Sequence, residues 1–133
     1  MNTTVGKFRQ SVGHRVALVK KWAAFEVWNR VTLKNPVDTG RSRAAWNLAV
    51  GTADLTTPAA AKSVPPPRVP NIGEVPLGAA IVVSNNVPYI LALEKGHSTQ
   101  APDGFVRASL DEVVGASAGQ IAHVKHLGET GAL

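Results

Sequence analysis

The chain has 133 residues, with 14 lysines and arginines against nine acidic residues, for a net charge of +5. That length suits one domain over 1–133 with a modest core, and 44% apolar against 17% charged residues excludes a disordered chain. The absence of cysteine excludes disulfide and thiol chemistry, and no apolar run approaches the roughly 20 residues that a membrane-spanning helix needs.

Near the N-terminus, Arg9, His14, Arg15, Lys20 and Lys21 interrupt any apolar leader core, so synthesis in the cytoplasm is expected. The charge is uneven. Up to Arg43 the basic residues are Lys7, Arg9, Arg15, Lys20, Lys21, Arg30, Lys34, Arg41 and Arg43, against only Glu26 and Asp38. Such asymmetry fits proximity to nucleic acid, an acidic partner, or simply a solvated helix face.

The first predicted element is a helix from about Thr3 to Lys34. Val5, Phe8, Val12, Val16, Val19, Ala23, Val27 and Val31 recur at three- and four-residue steps. Gly6 and Gly13 weaken its first half, and its valines make it depend on packing. Trp22, Phe25 and Trp28 widen the apolar surface beyond one stripe, so burial on two sides is expected, with Trp22 and Trp28 meeting another subunit. Asn35-Pro36 ends the helix. Asp38 or Thr39 is placed to cap a short turn, and Trp46–Val50 alternates as a strand.

Residues 53–78 carry six prolines (Pro58, Pro65, Pro66, Pro67, Pro70 and Pro76) and read as an extended, partly polyproline-like arm. A loop this long in a small domain is a functional arm or a disordered segment, and it is read here as an arm. Pro65, Pro66, Pro67, Arg68 and Ile72 are therefore assigned to contacts with neighbouring chains. Ala79–Asn85 is a near-continuous apolar strand. Val87-Pro88 then opens a helix whose apolar body is Tyr89–Leu93, and Gly96 is its left-handed stop. Pro102-Asp103-Gly104 is a turn, with Asp103 available to cap a last helix from about Gly104 to Lys125. Glu94 lies among apolar neighbours and is expected to pair with Arg41, Arg43 or Arg107. Residues 128–133 form a small, flexible tail.

These elements predict an α+β fold: a small, mainly antiparallel sheet packed against long N-terminal and C-terminal helices, with a long proline-rich arm. Thr39–Arg43 and Tyr89–Gly96 are expected to lie close together.

No catalytic constellation stands out. Asp38-Thr39-Gly40 is the triplet of aspartic proteases, but Arg41 and Arg43 follow at once and would prevent two carboxylates from sharing a proton, so a helix cap is the better reading. His123 and His126 have chelating spacing but no obvious third ligand, since Glu129 lies in the tail. His14 and His97 are isolated, and no glycine-rich phosphate loop is present. No catalytic, cofactor or metal site is expected. Specific DNA recognition lacks a supporting motif, leaving loose electrostatic proximity to DNA.

Two segments carry a resemblance. The first is Pro36-Val37-Asp38-Thr39-Gly40-Arg41-Ser42-Arg43-Ala44-Ala45-Trp46. The second runs from Val87-Pro88-Tyr89 through Leu93-Glu94-Lys95-Gly96 to Gln100-Ala101-Pro102-Asp103-Gly104-Phe105-Val106. Together they resemble the tail-completion, or minor tail, proteins of long-tailed bacteriophages, over roughly Val31 to Val114. The resemblance implies a non-enzymatic virion subunit without cofactor at the head–tail junction. Such a subunit forms a ring, by analogy of six copies, and meets neighbouring neck and tail proteins. The proline-rich arm has no counterpart in the family's pattern. The alternative is a DNA-associated regulatory protein using the basic N-terminal helix.

Overall fold

The computed structural model describes residues 4–116, with side chains from residue 15 onward. Helix α1 (Thr4–Lys34) is followed by a single helical turn, α2 (Arg41–Ala44). Strand β1 (Asn47–Val50) and strand β2 (Ile81–Ser84) are joined by a long connection without helix or strand. Helix α3 (Ile90–Glu94) comes next, and residues 106–116 are helical and are designated α4. The described chain is thus α+β with one antiparallel two-stranded sheet. The valine stripe of α1 before residue 15, the tail 128–133, and His123, His126 and Glu129 lie outside the described side chains.

The strands pair with Asn47 opposite Ser84 and Val50 opposite Ile81. Just beyond, the Gly51 N–H donates to the Ala80 carbonyl at 2.8 Å in the same register. Antiparallel pairs alternate between bonded and non-bonded, so Asn47/Ser84 and Ala49/Val82 are the bonded pairs. Leu48/Val83 and Val50/Ile81 are the close, non-bonded pairs. Leu48, Ile81 and Val83 turn to the face that α1 covers, where they meet Trp28, Val31, Trp46, Ala101 and Phe105 in the core. Trp46 and Phe105 pack edge to face, with centroids 6.2 Å apart and planes at 89°.

Two side chains of α1 brace this sheet. The Trp28 indole N–H donates to the Trp46 carbonyl at 3.0 Å, and the Lys20 ammonium donates to the Ala79 carbonyl. On the alternation just described, both carbonyls point away from the partner strand. They lie at opposite ends and on opposite edges of the sheet. Eight residues of helix span about 12 Å, so α1 crosses the sheet on a diagonal.

Trp28 was expected to face another subunit. It is instead only 5% exposed, inside the chain's own core, because its N–H finds a buried carbonyl there and its ring covers the sheet. Ile72 likewise packs against the core. Trp22 and Pro67 are half-buried, whereas Pro65, Pro66 and Arg68 are exposed.

The proline-rich stretch does not stand free over its length. Val64 and Val75 are each 9% exposed, the Val64 N–H donates to the Thr39 carbonyl at 2.7 Å, and Lys21 donates to the Gly73 carbonyl at 2.6 Å. Nearer β1, the Asn47 amide donates to the carbonyls of Asp54 and Thr56, and the Arg41 guanidinium to that of Pro58. These contacts hold much of the segment against its own chain. Proline has no N–H and cannot join a ladder, so such a segment is held by its carbonyls and its valines.

At the far end of α1, Glu112 of α4 accepts hydrogen bonds from Lys34 and, at 2.8 Å, from Arg30. Lys34 first, and Arg30 with it, hold the Glu112 carboxyl below its ordinary pKa, and Glu112 in turn raises that of Arg30. A carboxylate that binds its proton less tightly when folded than when unfolded adds stability above the ordinary carboxylate range. That contribution fades as pH falls through the lowered value. The urea midpoint of Glu112→Gln is expected to lie below that of the wild type at pH 7, with the gap closing as pH falls below the ordinary carboxylate range. A gap that persists at low pH would contradict the pairing.

Candidate functional site

The two motif segments meet at one corner. Their facing surfaces line a cleft of about 570 Å³, with Pro36–Ser42 on one wall and Tyr89, Leu93 and His97–Gln100 on the other. Thr39, Gly40 and Arg41 therefore lie close to Tyr89 and Leu93, as the sequence implied. Three local constructions hold the corner.

The first closes the cleft at one end. The Gln100 side chain reads the Val37 backbone in both directions: its amide donates to the Val37 carbonyl and its oxygen accepts from the Val37 N–H, each at 2.9 Å. A side-chain amide offers a donor and an acceptor side by side, so it replaces a paired strand at this point.

The second lies beneath the cleft. Asn35, the last residue before Pro36, is 3% exposed. Its amide donates to the Ser42 hydroxyl and to the Pro36 carbonyl at 2.7 Å each, and its oxygen accepts from the Trp46 indole N–H at 2.8 Å. Asn85, leaving β2, donates to the Ser42 carbonyl at 2.8 Å. Buried polar groups must be satisfied, so this network fixes the end of α1, the α2 turn, β1 and the exit of β2 relative to one another.

The third is Glu94. Among the described residues, no arginine pairs with it. Its carboxylate sits over the start of α4, where Oε1 accepts the N–H groups of Phe105 at 2.8 Å and Val106 at 3.2 Å, and Oε2 accepts that of Arg107 at 3.0 Å. The first N–H groups of a helix have no partner within it, and a carboxylate there also suits the helix dipole. The capping role expected of Asp103 thus falls to a residue from another element, and Asp103 is exposed. The Arg107 guanidinium pairs with Asp111 at 3.5 Å on the surface. Gly104 makes the approach possible. Its φ is +81°, and a Cβ there would overlap both Oε1 and the backbone oxygen of Glu94.

On the other wall, Gly40 begins α2 with φ +88°. A Cβ on it would stand 2.8 Å from the Val64 carbonyl oxygen, so the glycine lets the proline-rich segment lie against the corner. The Thr39 hydroxyl accepts the Arg41 N–H at 3.2 Å in a local turn, but the N-cap of α2 is Gly40, without a side-chain cap bond, rather than the expected Asp38 or Thr39. Arg43 is half-buried, and its Nε is enclosed without a hydrogen-bond partner. Gly96 takes φ +89° as the stop after α3, Pro102 completes the turn beside it, and Pro88 and Tyr89 are exposed at the start of α3. Sequence reasoning missed the Asn35–Ser42–Trp46 network and gave Gln100 no role. An asparagine directly before a helix-ending proline was the available signal for the network.

Chemically the corner is a set of backbone clasps. Among the described residues, no three histidine, aspartate or glutamate side chains come together as a metal centre would require. No described helix is long and apolar enough to cross a membrane. The basic side chains of α1 from Lys20 onward are engaged within the chain: Lys20 and Lys21 by carbonyls, Arg30 by Glu26 and Glu112, and Lys34 by Glu112. Compared with protein-family models, curated proteins and solved structures, the chain matches none.

Proposed function

We propose that this chain is a structural virion protein of a tailed bacteriophage, a tail-completion component that forms a ring at the head–tail junction and allows tail assembly and joining. The observation that carries this reading is the convergence of the two motif segments. The residues they share with the family are those that build one corner. Gln100 clasps Val37, Glu94 caps α4 across Gly104, and Gly40 admits Val64. Such a set of residues serves shape rather than turnover, which suits a subunit that must present fixed surfaces to its neighbours.

Two further observations support assembly. Large apolar side chains stand well exposed at Leu33, Val69, Leu77 and Leu91, where neighbouring subunits would cover them. The engagement of Lys20, Lys21, Arg30 and Lys34 within the chain favours assembly over the DNA-associated alternative. In the proposed ring the copies number six by analogy, the neighbours are other neck and tail proteins, and Trp22 and the exposed Pro65, Pro66 and Arg68 contribute to their contacts.

The test is a phage lacking this protein, viewed by electron microscopy. Filled heads and separate tails are expected. Intact, infectious particles without the protein would refute the reading.

A further inference from the structure

The sheet has only two strands, and its alternation specifies which backbone groups it leaves over. The N–H and C=O of Leu48 and Val50 point away from β2, and those of Ile81 and Val83 point away from β1. No backbone group of any other described residue pairs with them. The flanking outward carbonyls, of Trp46 on one edge and Ala79 on the other, are already taken by Trp28 and Lys20 of α1. Each edge is therefore delimited at one end by a side chain of α1, and each presents two donors and two acceptors at strand spacing.

Both strands are short, four residues each, but neither carries a proline or a lysine within NLAV or IVVS. Natural edges are kept short, charged, covered or paired, and these have only their shortness. The residues of β2 are only half-buried, unlike those of a central strand.

We propose that these edges are the subunit interface: the β1 edge of one copy pairs with the β2 edge of the next. The occupant is a second copy of this chain because the accounts match. Every copy has one edge of each kind with the same number of donors and acceptors. Pairing β1 with β2 uses all of them, whereas pairing like with like leaves half unpaired. An interface between unlike surfaces repeats around a closed ring or along an open filament. Strand addition also supplies main-chain bonds without requiring complementary side chains. This proposal rests on the ring reading above and names the surface that makes the ring.

Proline substitution separates the possibilities. At Val50 or Val83 the N–H points outward, so proline removes an edge donor and crowds the added strand while leaving the internal ladder intact. Sedimentation of the full chain is expected to show that the wild type assembles and that Val50→Pro and Val83→Pro are each single copies. An equimolar mixture of the two variants should sediment as a pair that grows no further, because each retains the edge the other lacks. Rings from either variant alone would overturn the edge proposal and leave the ring reading standing. A wild type that stays a single copy at every concentration would overturn both. Amide exchange gives a check that does not depend on the variants. In the wild-type assembly, the amides of Leu48, Val50, Ile81 and Val83 should exchange at least tenfold more slowly than in the dissociated chain, and equal rates would sink the proposal.

Discussion

Replacing Gly104 with alanine is expected to destabilise the fold by about 3 kcal/mol, from a left-handed conformation that alanine adopts poorly and from the loss of the cap on α4. The second part arises because the new Cβ takes the space of the Glu94 carboxylate, which serves three N–H groups at once. Chemical denaturation of the variant measures the effect. Glu94→Ala should show the capping part alone, about 1–2 kcal/mol. In the double variant, the added cost of losing Glu94 should largely vanish, because the alanine at 104 has already displaced its carboxylate. A Gly104→Ala protein within about 0.5 kcal/mol of the wild type, the range of ordinary surface changes, would show that the corner relaxes freely.

The buried network at Asn35 should have an effect of similar size. Asn35→Ala leaves the Trp46 indole N–H and the Ser42 hydroxyl enclosed without a partner. Each such group costs about 1–3 kcal/mol, so a loss of about 3 kcal/mol is expected, or a fall of roughly 10 °C in the thermal midpoint. Trp46→Phe removes the N–H together with one ring of a core indole, so it carries a cavity cost of its own. Combined with Asn35→Ala, the loss should fall short of the sum of the two single losses, since the donor that Trp46→Phe removes is already unpaired. Strict additivity would mean that the two residues do not share the interaction described.

Much of the local structure was legible in the sequence because its causes are local. The valine repeat and Asn35-Pro36 set the extent of α1, and the apolar run before Asn85 set β2. The turn residues located Gly96 and Gly104. What was not legible depends on the third dimension. Glu94 was correctly read as needing a partner, but an arginine was the expected one, because charge is visible in a sequence and a helix terminus eleven residues away is not. Trp28 was assigned outward because an apolar face wider than one stripe does not reveal which side meets the chain's own sheet. The proline-rich segment was read as an arm from its composition. Its docking at Val64 and Val75 depends on a glycine at position 40 and a lysine on α1, neither of which announces the contact.

That docking has a consequence for how such a chain can vary. The proline-rich segment touches the body at separated pegs: Pro58 on Arg41, Val64 at Gly40 and Gly73 on Lys21. Between pegs lie exposed stretches such as Pro65–Pro66 and Arg68, and lengthening such a stretch costs little, because loop closure grows only slowly with length. Residues inserted beside Arg68, before Ile72 packs against the core, would lengthen that span without loosening a fastening. The region best suited to remodelling for a new neighbour is thus the one whose attachment is least disturbed by change.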